Sequence, residues 1–314
     1  MRLTKKLFCF ICLCLLFISL CGCDVKVPEA DNGKLTVITT SFPPYDFVRQ
    51  IGGDHVKVDM LLAPAQESHS FEPTPQDIIA LGKADLFIAG GGTSDEWVRK
   101  LISSSELNED KVLFMMDCVE AKETQQDEPT SHTHDHSHLY EYDEHVWTSP
   151  VNAKRICEEI LARLIKMDTK NETYYNENAE AYFNALNALD SKFHALFDGA
   201  QKTLIFADRF PFRYFADEYG LAYFAAFPGC AGETEPDAAT MKFLIDKVKN
   251  DSIPTVFYTE LSNQKIADSI VEATGAEKKL LHSCHTVTKE EFDRGETYLS
   301  LMEQNLLTLK EALF

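Results

Sequence analysis

The chain has 314 residues, room for two domains, and its 45% hydrophobic content is enough to build real cores. Lys and Arg total 30 against 50 Asp and Glu, a formal net charge of −20. That balance argues against a nucleic-acid partner, which needs basic patches to meet phosphate. It suits a soluble body that attracts cations, although acidity also serves solubility alone.

Arg2, Lys5 and Lys6 precede an apolar run from Leu7 to Leu20. At about 14 residues the run is short for a transmembrane helix and fits a signal-peptide core. Leu20-Cys21-Gly22-Cys23-Asp24 follows, the pattern of a bacterial lipobox. The expectation is a signal peptide over 1–22, an acylated Cys23 in the bilayer, and a tether over 23–34. The protein would then sit on the extracytoplasmic face of a bacterial membrane. No other run of about 18 apolar residues occurs. Of the nine cysteines, Cys118, Cys157, Cys230 and Cys284 would remain unlipidated in an oxidising compartment. Cys230 and Cys284 fall in the same half and form a possible disulfide, which spacing alone does not fix.

Beyond the tether, strand and helix patterns alternate. Residues 35–40 are β-rich. Pro43 and Pro44 open a helix that Gly52 and Gly53 end, and 56–62 read as a second strand. Pro75 starts a short helix, 84–89 form a buried strand closed by three glycines, 94–102 are helical, and 112–116 are strand-like. Residues 119–143 break the pattern as a polar, acidic, His-rich loop. A helix resumes at Pro150. In 172–197, Tyr175, Ala179, Tyr182, Leu186, Leu189, Phe193 and Leu196 draw one apolar stripe along a helix of about seven turns. The second half repeats the alternation, with strands at 203–207, 221–227, 255–259 and 279–281. Its helices are at 212–218, 236–249, 263–274 and 297–313. The fold class is α/β: an N-terminal lobe over 35–168, a connecting helix over 169–199, and a C-terminal lobe over 200–314.

Histidine carries most of the chemistry. His69 lies in E-S-H-S-F-E-P-T-P, a loop stiffened by Pro73 and Pro75. His145 lies in Y-D-E-H-V-W-T-S-P, where Asp143 or Glu144 is placed to orient an imidazole. His132, His134, His136 and His138 alternate in H-T-H-D-H-S-H, an auxiliary loop that binds metal without fixed geometry. His282 and His285 end a strand-like run in L-L-H-S-C-H-T, with Cys284 turned elsewhere if the segment stays extended. Glu260, ending T-V-F-Y-T-E, is a candidate oxygen ligand. Asp208 is a weaker one, since with Arg209 it also reads as a buried ion pair. Each histidine alone reads equally as solvated or packed. The chain lacks H-E-x-x-H, G-x-S-x-G and a phosphate-cradling glycine loop.

As a set these motifs resemble the metal-specific solute-binding lipoproteins of ABC importers, the zinc and manganese cluster. The resemblance rests on T-T-S-F-P-P-Y-D-F, H-S-F-E-P-T-P, A-D-L-F-I-A-G-G-G, D-E-H-V-W-T-S-P-x-N-A, the central helix and the closing Y-L-S-L-M-x-x-N-L-x-x-L-K-E-A-L. It implies a C-clamp solute-binding fold, two α/β lobes on one backbone helix, with metal held between them. The His-rich loop is similar to that of the zinc-directed members. His69 and His145 match the first two ligands of that family. Arg209 stands where its third, a histidine, is expected, and a guanidinium cannot ligate zinc. His282 or His285 would substitute, with Glu260 or water completing the site. The resemblance therefore implies a monomeric, non-enzymatic receptor that passes Zn²⁺ to an ABC permease and its ATPase. Mn²⁺, Ni²⁺ and Cu²⁺ fit a histidine-dominated site less well or are not told apart by ligand type. The alternatives are an extracellular zinc-dependent hydrolase with Glu260 as base, and a metal-binding adhesin.

Overall fold

A computed structural model describes residues 33–68, 71–104, 106–123, 142–200, 202–227 and 236–314. The signal peptide, Cys23, His69, the His132–His138 cluster and Cys230 lie outside the described residues. No helix among the described residues is long and apolar enough to cross a membrane. The body begins at Leu35.

The first lobe runs β1 (Leu35–Thr39), α1 (Phe42–Gly52), β2 (Val56–Met60), α2 (Pro75–Lys83), β3 (Leu86–Ala89), α3 (Glu96–Ser103) and β4 (Val112–Phe114). Its strands form one parallel sheet in the order β2-β1-β3-β4. A parallel sheet needs both faces covered. Accordingly all four residues of β3, Leu-Phe-Ile-Ala, are buried, as the absence of alternation in that run requires. Helix α4 (Pro150–Met167) starts at a proline, with Ser149 capping Asn152. It leads into α5 (Glu172–Phe197).

The second lobe runs β5 (Thr203–Arg209), α6 (Arg213–Glu218), β6 (Ala222–Phe227), α7 (Ala238–Asn250), β7 (Thr255–Tyr258), α8 (Lys265–Thr274), β8 (Glu277–Leu280), α9 (Lys289–Arg294) and α10 (Tyr298–Leu313). It repeats the parallel arrangement as β6-β5-β7-β8. Helix α9 was not among the expected elements. It is a single capped turn and a half: Thr288 and Glu291 form a reciprocal capping box, and Gly295 ends it at φ +74°.

The two lobes share α5, whose 26 residues span about 39 Å. Tyr175, Ala179, Tyr182, Leu186, Leu189 and Phe193 are buried as the stripe predicts. The last place in it goes to Phe197, with Leu196 only half-buried. One continuous apolar cluster joins that stripe to Phe47, Ile156, Phe206, Phe215 and Met302, so both lobes and the helix between them form a common core.

In both sheets the chain leaves the first central strand towards one edge and the next towards the other. Such a switch point opens a crevice at the carboxyl ends of the strands. In the first lobe it lies between β1 and β3, in the second between β5 and β7. A register irregularity between Phe206 and Arg209 bends the end of β5 and re-aims Asp208 and Arg209.

Candidate metal centre between the lobes

His145 follows the His-rich loop and is 4% exposed. Asp143 holds it twice: Asp143 Oδ1 accepts the His145 backbone N–H at 2.8 Å and lies 3.0 Å from Nδ1. With the Nδ1 proton donated to a carboxylate, Nε2 is the ring nitrogen that would ligate a cation. The neighbouring Glu144 turns away, accepting from Ser94 N–H and Oγ–H. Its close approach explains the last of the three glycines after β3, because a Cβ on Gly92 would collide with the Glu144 side chain.

His285 faces His145 from the second lobe, with ring centroids 5.5 Å apart and planes at 84°. Trp147 packs against both, at 5.4 Å from His145 and 5.0 Å from His285. A cavity of about 70 Å³ opens beside them, lined among others by Ser68, His145, Arg209, Glu260 and His285. His285 also borders a second small cavity with Ser41, Gly90 and Glu144. Thus the side chains converge where the two strand-end crevices meet. Ser68, the last described residue before His69, lines both cavities.

The segment carrying His285 is fixed through its neighbours. Glu260 accepts the Ser283 backbone N–H at 2.9 Å and its hydroxyl at 2.6 Å. Ser283 Oγ in turn accepts the His285 N–H at 3.1 Å. The His285 carbonyl accepts the N–H of Phe42, the first residue of α1, at 3.4 Å. Ala65 N–H donates to the Val287 carbonyl at 2.7 Å. The second lobe's ligand segment is therefore bonded to the first lobe's backbone on two sides.

His282 departs from the expectation. The segment does not stay extended, because Cys284 adopts a left-handed φ of +61° and reverses the chain. His282 consequently lines a different cavity with Tyr258, Glu291 and Asn305. Its Nδ1 accepts the Cys284 N–H at 3.0 Å, which puts the ring proton on Nε2, 3.7 Å from Glu291 Oε2. Neither nitrogen offers a lone pair to the cleft. Cys284 is a buried thiol with Sγ 3.7 Å from the His282 carbonyl, and Cys230, the other half of the possible disulfide, lies outside the described residues.

Asp208 and Arg209 do not pair with each other's side chains. Asp208 Oδ1 accepts the N–H of Arg209 at 2.9 Å, and Oδ2 accepts the Thr259 hydroxyl at 3.0 Å. The carboxylate is thereby turned to the β7 end, and it does not line the cavity. Arg209 reaches across the cleft to Glu67, 3.5 Å from its Oε2. A second-lobe cation thus meets a first-lobe anion at the mouth of the cavity.

The family model for the periplasmic zinc-uptake complex component A, ZnuA, matches residues 37–312, from β1 to the end of α10. The chain belongs to this family. The ZnuA assignment bears out the resemblance drawn from the motifs. Among its relatives, the high-affinity zinc uptake system protein ZnuA of Bacillus subtilis is 32% identical over 307 residues, covering 96% of this chain and 95% of that protein. The zinc-binding lipoprotein AdcA of Streptococcus pneumoniae is 30% identical over 300 residues, 95% of this chain but 59% of AdcA. The Zn(II)-bound ZnuA-like domain of AdcA superposes with a TM-score of 0.73 at 27% identity, over 89% of this chain and 99% of that domain. The laminin-binding protein Lmb of Streptococcus agalactiae, described as bifunctional with adhesin and metal-transporting activity, gives 0.75 at 28% identity, over 89% and 100%.

Proposed function

We propose that this chain captures Zn²⁺ outside the cytoplasmic membrane and passes it to the permease of an ABC importer. The observation that carries this reading is the pair His145 and His285, one from each lobe, facing each other across a cavity at the joined strand ends. Their imidazoles, with His69 from the adjoining loop and Glu260 or a water as the last donor, make a histidine-dominated set that suits Zn²⁺ better than Mn²⁺. The names of the relatives, zinc-uptake and zinc-binding proteins, support the same metal. In this reading residues 132–138 gather the ion loosely, and an acylated Cys23 keeps a monomeric body at the membrane.

Binding without turnover is favoured by Glu260. It is the candidate general base of the hydrolase alternative, yet both of its oxygens are engaged by Ser283.

Calorimetric titration of the full chain with Zn²⁺, in the presence of a competing chelator, tests the site. One tight ion is expected, with affinity falling at least 100-fold in His145→Ala and in His285→Ala. Unchanged affinity in either variant would remove that residue from the site. Delivery is read from radiozinc uptake in a host lacking the gene, restored by the wild-type chain and not by His285→Ala.

A further inference from the structure

Outside the cleft, three ligating side chains meet at the carboxyl end of α5. Asp190 and His194 stand one turn apart on the same face of that helix, and Glu218 reaches them from the last position of α6. One donor atom from each lies within 4.8 Å of the others. We propose that Asp190, His194 and Glu218 form a second, lower-affinity site for a divalent transition-metal cation, separate from the cleft.

The spacing supports a cation more than a set of direct bonds. His194 Nε2 is 3.5 Å from Asp190 Oδ1 and 4.0 Å from Glu218 Oε1. Both gaps are long for hydrogen bonds. Two donors bound tetrahedrally to one Zn²⁺ at about 2.1 Å each stand about 3.4 Å apart, so small side-chain rotations would close the set around an ion. The i, i+4 placement of Asp190 and His194 is the helical spacing that brings two ligands to one point.

Asp190 is held in place independently. Tyr219 Oη donates to its Oδ1 at 2.9 Å, and burial together with the Asp190 carboxylate pushes the Tyr219 pKa up, so the phenol remains a donor. The last turn of α5 adds the partial negative charge of its unpaired carbonyls, which favours a cation near His194. With a neutral imidazole, the two carboxylates balance the charge of one divalent ion. The side chains are 23%, 53% and 32% exposed for Asp190, His194 and Glu218, so the ion enters from solvent and keeps water in its remaining position.

The site shares no residue with the cleft, and its test separates the two. The probe is Co²⁺, added to the full-length protein and to His145→Ala/His285→Ala. The readout is paramagnetic broadening of amide signals from residues 190–198 and 216–220. Selective broadening at those positions is expected in both proteins, with at least a tenfold weaker response in His194→Ala and in His194→Gln. Native mass spectrometry with Zn²⁺ should show one ion fewer in the His194 variants than in their parents. Signals that stay sharp under tenfold excess Co²⁺, or broadening that survives His194 replacement, would overturn the site. Exposure of His194 makes both substitutions compatible with folding, which circular dichroism checks.

Discussion

Trp147 Nε1 donates a hydrogen bond to the Ser283 carbonyl at 2.9 Å, tying the segment that carries His145 to the segment that carries His285. Trp147 is 1% exposed, so the bond is shielded from water and sets the distance between the two imidazoles. Trp147→Phe removes the donor together with one ring of the indole, while keeping an aromatic ring against the two imidazoles. The expected result is a folded protein that releases Zn²⁺ several-fold faster in stopped-flow chelator exchange. An unchanged release rate would show that packing alone fixes the pair.

Asp143 is the partner that orients His145. Loss of such a carboxylate commonly costs 10–100-fold in metal affinity. Asp143→Ala should therefore weaken Zn²⁺ binding by about that factor. Glu144→Gln, whose side chain bonds Ser94 instead, should leave binding within about threefold of wild type, given the neutral hydrogen bonds that Gln can retain. Equal losses in the two variants would contradict the assignment of roles.

His282→Ala should leave Zn²⁺ affinity unchanged while lowering stability, because the ring is buried between the Cys284 N–H and Glu291. Chelator competition and urea denaturation separate the two effects. A large loss of affinity with intact stability would return His282 to the site.

Much of this was legible beforehand. The six positions from Tyr175 to Phe193 are buried because an uninterrupted 3.6-residue period admits one face. An orienting carboxylate beside His145 was readable, but the choice between Asp143 and Glu144 was not, because it depends on the turn that sends Glu144 to Ser94. The distinction between His282 and His285 was hidden. It depends on the left-handed φ of Cys284, a conformation usually advertised by Gly or Asn and here held by a cysteine. Helix α9 did carry a signal: Thr288 three residues before Glu291, with Gly295 following, is a capping box with a stop. The group at Asp190, His194 and Glu218 was out of reach, since its third member arrives from another helix.

Burial pushes the Asp95 carboxyl up to about 6, opposed by the Gly91 N–H and assisted by the nearby Glu144 charge. A folded-state pKa above the unfolded value means that the folded protein prefers the protonated acid. The associated stability is fully present below about pH 4 and is lost as pH rises through about 6. Asp95→Asn keeps an acceptor for Gly91 and removes the charge. It should raise stability by about 3 kcal/mol at about pH 8 and by almost nothing at about pH 4, read from urea midpoints. An equal change at both pH values would show that ionisation is not the cause.

Helix α10 closes the chain, yet its side chains reach the middle of the molecule. Tyr298 Oη donates to the Trp147 carbonyl at 2.7 Å, and its N–H donates to Asp46 at 2.9 Å. Asn305 clasps His282 from both sides, accepting its N–H at 2.8 Å and donating to its carbonyl at 2.7 Å. The two segments that bring the imidazoles together are thus both locked by the last sixteen-residue helix. During folding, such long-range contacts form only after extensive loop closure. The ability to hold an ion in the cleft should accordingly be gained late in folding, once these contacts have closed.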